Sequence, residues 1–87
     1  MNDEAEIRHF LGKALDAVAG GDDAWSVMST GEKLAVAVAL NRTDWLARMD
    51  YTFAEAIGRI GPQWMRLLPR VVAELDRIAD RNPPTDP

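Results

Sequence analysis

One segment constrains the fold of this chain more than any other, the apolar run Leu34–Leu40, which has no polar face. It follows Ser29-Thr30-Gly31-Glu32, in which the serine and the glutamate have the spacing of a helix capping box. The valines of the run would also suit a buried strand, but the capping box and the content of alanine and leucine favour a helix that ends near Asn41. A helix that is apolar all round has to be surrounded by other elements, so we expect this one to lie at the centre of the fold.

The segment before this run has the pattern of a helix that ends at two glycines. Over Asp3–Ala19, apolar residues recur at steps of three and four, and Gly20-Gly21 can then adopt the left-handed conformation in which many helices end. Either carboxylate of Asp22-Asp23 can cap a further short helical turn that runs through Met28. The residues predicted to face inward from the first helix are Ile7, Phe10, Leu11, Ala14, Leu15 and Val18.

The chain after the central run also has helical patterns. Thr43–Met49 predicts a short helix with its threonine as the cap, and Thr52–Ile60 predicts another, because its first and fourth residues form a second capping box. Gly61-Pro62 ends that helix and starts the next, in which Pro69 is expected to cause a kink or a restart. The residues predicted to face inward are Phe53, Ala56, Ile57 and Ile60, and then Val72, Leu75, Ile78 and Ala79.

Length and composition limit the chain to one domain. Its 87 residues are too few for two domains of ordinary size, and the absence of cysteine excludes disulfides, thiol nucleophiles and cysteine-ligated metals. We expect residues 1–81 to form a single helical domain and residues 82–87 to form a Pro-rich C-terminal tail. The predicted fold class is a small all-α orthogonal bundle of about four to six short helices around the buried helix at about 30–41. In this bundle, the large residues of the central run, Leu34, Val36, Val38 and Leu40, should be largely buried.

The charge balance argues against nucleic acid and membrane as partners. The formal net charge is −4 and the sequence pI about 4.8, whereas binders of nucleic acid or anionic lipid are usually basic. The longest apolar run is far shorter than the roughly 20 residues that span a bilayer, and no signal-peptide pattern is present at the N-terminus. We therefore expect a cytoplasmic protein, and the excess of arginine over lysine together with abundant alanine suggests a bacterial source.

The charges are also unevenly distributed along the chain. Residues 1–32 have seven acidic against two basic side chains, whereas residues 57–87 have five basic against four acidic ones. Such halves can attract each other within one molecule or between two copies, and we favour pairing between helices of the same molecule.

No set of residues has the spacing that catalysis or metal binding requires. His9 is the single histidine, and its neighbours one turn away, Glu6 and Lys13, do not make a metal site. The pair Asp22-Asp23 follows two glycines, where helix capping explains it best. Glycine-rich phosphate-binding motifs are absent. We therefore expect a protein that is not an enzyme and that needs no metal and no cofactor.

An alternative function is DNA binding by a helix-turn-helix at residues 43–60. The turn at Asp50-Tyr51 would join its two helices, of which the second would enter the groove. Arg59 is the single basic residue of that second helix, with Arg66, Arg70 and Arg77 further along the chain as support. Because base recognition normally needs several basic or amide side chains, nucleic acid is the less favoured partner.

The three tryptophans are the remaining signal. Trp45 and Trp64 are expected to anchor the core, whereas Trp25 lies in an acidic connector with less core within reach. The candidate partner-binding residues are Trp25, Met28, Asp22 and Asp23. The predicted function is that of a small non-catalytic protein interaction module, an adaptor, regulator or inhibitor that binds another protein or a second copy of itself.

Overall fold

The computed structural model describes residues 3–81, and the side chains of residues 3–79. Within this range the chain forms five helices and no strand, so the predicted small all-α bundle is confirmed. The predicted tail at 82–87 lies outside the described residues. The helices are α1 (Asp3–Ser26), α2 (Thr30–Ala39), α3 (Thr43–Arg48), α4 (Phe53–Ile60) and α5 (Pro62–Arg81).

Helix α2 is the centre of the bundle, as its sequence predicts. The capping box is formed, since the Ser29 hydroxyl accepts the Glu32 amide at 3.3 Å and the Glu32 carboxylate accepts the Ser29 amide at 3.2 Å. Each of the other four helices packs against α2. Its residues 34–37 are buried, but Val38 and Leu40 are only partly buried, which the sequence did not predict. The helix ends at Ala39, and its last apolar residues lie at the margin of the core.

Helix α1 bends at Gly21, where the sequence predicts an end. Gly21 has φ 63° and ψ −145°, a conformation that glycine adopts at low cost, and the chain resumes its helix at once and continues to Ser26. The inner face of the first part is formed by Ile7, Phe10, Ala14 and Ala17. Val18 lies beside this stripe and is 63% exposed, so the prediction that it faces the core is wrong.

Helices α3 and α4 are joined by a turn in which Asp50 has a positive φ of 65°. The predicted cap of α3 is displaced by one residue, because Thr43 is the first helical residue and the chain enters α3 through Arg42. The capping box of α4 is formed as predicted. Phe53, expected to face inward, is 46% exposed, because the small Ala56 occupies the contact with α2 and leaves Phe53 at the rim.

Helix α5 begins at Pro62, as predicted, and it continues through Pro69 as one helix without a restart. It lies beside α1, and the two helices run in the same direction, because Asp3 contacts Arg66 near their beginnings while the later turns of both line one groove. The guanidinium of Arg66 lies 2.9 Å from the Asp3 carboxylate, and that of Arg70 lies 3.9 Å from the Glu4 carboxylate. The predicted pairing of acidic and basic segments within one molecule is thus confirmed.

Candidate functional site

An apolar groove opens where the later turns of α1 and α5 lie side by side. It has a volume of about 390 Å³. Helix α1 forms one wall and α5 forms the other. Leu40, the residue that follows the last residue of α2, lies between them. We call this feature the C-terminal groove, and its lining residues are Leu15, Val18, Leu40, Leu75, Ile78 and Ala79.

The groove exists because α5 is longer than the helix it covers. Helix α2 has 10 residues and α5 has 20, which at about 1.5 Å per residue gives α5 twice the length. The buried contacts of α5 are made by Leu67 and Val71 in its first half. Beyond them the apolar stripe continues while α2 has ended, so Leu75 and Ile78 keep part of their surface in solvent.

The lining of the C-terminal groove is entirely aliphatic. Its six lining residues are Leu, Val, Ile and Ala, and they place no hydroxyl, amide or charged side chain in the groove. Such a surface cannot orient a polar substrate or carry out proton transfer. It can bury the apolar side chains of another molecule, which is the property of the central part of a protein interface.

The charged residues next to the lining residues in sequence are unevenly paired. Asp16 and Asp76 directly follow the lining residues Leu15 and Leu75, and both are exposed. Neither forms an ion pair with any side chain in the described part of the chain. The Arg77 guanidinium, by contrast, is already paired with Glu74. Residues one position apart do not face each other on a helix, and neither aspartate is among the residues that line the groove.

The structure places the predicted partner-binding residues Trp25 and Met28 in the core. Trp25 is 2% exposed and Met28 is 8% exposed. The expectation that little core lies within reach of Trp25 is therefore wrong. The bend at Gly21 turns the end of α1 toward α2 and α3, so that the Trp25 ring stacks on Trp45 with centroids 4.6 Å apart and its indole N–H donates to the Lys33 carbonyl at 3.0 Å.

The two aspartates predicted for the same site are exposed, and one of them has a structural partner. Asp22 accepts a hydrogen bond of 2.6 Å from the indole N–H of Trp45, and its carboxylate lies 3.3 Å from the Arg48 guanidinium. The Trp45 hydrogen bond, aided by Arg48 and opposed in part by desolvation, holds the pKa of Asp22 below its usual value. Asp23 is exposed next to it. A partner at this segment would therefore meet carboxylates and not the Trp25 ring.

A second pocket, of about 280 Å³, lies at the beginning of α2 next to Trp64. His9 stands beside it, with its Nε2 3.0 Å from the Glu32 carboxylate and its ring in edge contact with Trp64. Burial alone would raise the pKa of Glu32, but the hydrogen bonds from His9 and Ser29 outweigh it and lower this pKa. Both oxygens of Glu32 already have donors within the protein, so this cluster ties α1 to α2.

Metal binding has no support in the described residues. No three histidine, aspartate or glutamate side chains of residues 3–79 lie close enough together to hold an ion. Local spacing puts Glu6 and Lys13 next to His9, whereas the partner of His9 is Glu32 of α2, which local spacing could not show.

The helices proposed for DNA binding, α3 and α4, are both present. Basic side chains are sparse on α4, where Arg59 alone is available to a phosphate. The three arginines expected to support binding are already occupied, since Arg66 pairs with Asp3, Arg70 with Glu4 and Arg77 with Glu74. No observation on these helices favours the DNA-binding alternative.

Sequence reasoning missed the C-terminal groove, although one signal for it is present. The apolar stripe predicted for the last helix, which begins at Pro62, continues to Ala79. The central apolar run that it packs against, Leu34–Leu40, has only seven residues. The part of an apolar stripe that extends past the end of the helix it packs against is either covered by another element or exposed to solvent.

Comparisons with known proteins give no relative: no protein-family model, no curated protein and no solved structure matches this chain. Among the residues described, no helix is long and apolar enough to cross a bilayer. A function for the chain therefore has to follow from the chemistry of the groove itself.

Proposed function

We propose that this protein is a small non-catalytic interaction module that binds another protein through its C-terminal groove. The observation that carries the proposal is the all-aliphatic lining of a groove that stays open to solvent. Monomeric proteins seldom leave contiguous apolar surface exposed, and where they do it commonly serves recognition. An adaptor, a regulator or an inhibitor would each use such a surface, and a bacterial cytoplasm as its location belongs to the same proposal.

The exposure of Val18 supports this proposal and makes it testable. Val18 is 63% exposed on the wall of the groove, whereas Val27 is 83% exposed and lies outside the groove. Because both side chains are largely in solvent, Val18→Ser and Val27→Ser should each change the free energy of unfolding by no more than about 0.5 kcal/mol. The two variants therefore separate a loss of binding from a loss of stability.

The experiment places a photo-crosslinking amino acid at position 18 or at position 27 in cells of the source organism. We expect a defined crosslinked protein from position 18 that is lost when Ile78→Ser is introduced on the opposite wall, and no such product from position 27. Equal products from both positions, or none from position 18, would contradict the proposal. A crosslink between two copies of the chain would assign the groove to self-association instead.

A further inference from the structure

We draw no further inference here: the strongest candidate, the apolar C-terminal groove between the later turns of α1 and α5, already carries the proposed function, and nothing in the structure shows what covers it.

Discussion

Two tryptophans hold the middle of the molecule together through both their rings and their polar atoms. Trp25 and Trp45 stack with an interplanar angle of 13°, and each is almost completely buried. Their indole N–H groups donate to the Lys33 carbonyl and the Asp22 carboxylate. A buried indole N–H without an acceptor would be destabilising, so Asp22 has a structural role that its exposure does not suggest.

The role of Asp22 predicts a stability that depends on pH. Its pKa is lowered in the folded state, first by the Trp45 hydrogen bond, so the charged form favours folding. This contribution is fully present above the ordinary carboxyl pKa of 3.8 and is lost as the pH falls through the lower folded value. Asp22→Asn keeps an oxygen acceptor but removes the charge. We therefore expect the wild type to be more stable than this variant near neutral pH, and the difference to shrink below about pH 4.

Urea unfolding of both proteins between about pH 7 and pH 3 measures this difference. Asp23→Asn, which removes the adjacent carboxylate, controls for the general loss of one negative charge. A difference between wild type and Asp22→Asn that stays constant down to the lowest pH would contradict the assignment.

At the scale of single helices, the two capping boxes begin helices where the sequence predicts, whereas one proline does not end a helix. The boxes at Ser29 and Thr52 start α2 and α4 where their sequences place them. Pro69, by contrast, lies within α5 and does not end it. Proline has no amide hydrogen for the carbonyl four residues earlier, which here is that of Met65. The packing of Leu67 and Val71 against α1 and α2 keeps the helix intact across this gap.

Replacing this proline should therefore stabilise the protein. Pro69 is exposed, so Pro69→Ala removes no core contact and restores a hydrogen bond in α5. We expect an increase of about 1–3 kcal/mol in the free energy of unfolding, measured in urea. Pro62→Ala is the matched control, because the first helical residue has no intrahelical acceptor for its amide, and it should change the stability little. A loss of stability in Pro69→Ala would show that the proline fixes a bend that α5 needs.

At the scale of the whole molecule, ion pairs link the two longest helices near their N-terminal ends. Because α1 and α5 run in the same direction, their dipoles do not offset each other. The acidic first turn of α1 lies against arginines of α5, and the hydrogen bonds from Arg66 lower the pKa of Asp3. These contacts join the beginnings of two helices that also share a buried cluster and whose later turns line the C-terminal groove.

Exchanging the charges of this pair tests the alignment. Asp3→Lys and Arg66→Glu should each lower the midpoint of urea unfolding, because each places like charges together. The double variant should recover part of the loss and no more, since a lysine at the beginning of α1 is unfavourable to the helix dipole. Strictly additive losses would show that Asp3 and Arg66 do not interact in solution.

Features that depend on neighbours within one helical turn could be predicted from the amino-acid sequence. The capping boxes, the interruption at Gly21 and the start of α5 at Pro62 depend on hydrogen bonds and backbone angles over a few residues, and all lie at or within one residue of their predicted positions. The central position of α2 could also be predicted, because a helix without a polar face is stable in water only when other elements surround it.

Which apolar residues are buried and which stay open depends instead on how the helices are arranged in space. Helical periodicity places Val18 on an apolar face and the sequence places Trp25 in an acidic connector, but neither pattern contains information on where another helix ends. The bend at Gly21 brings Trp25 onto Trp45, and the end of α2 at Ala39 leaves Val18 and Ile78 without cover. Those outcomes depend on the relative lengths and directions of helices far apart in the chain, which the local interactions that form each helix do not specify.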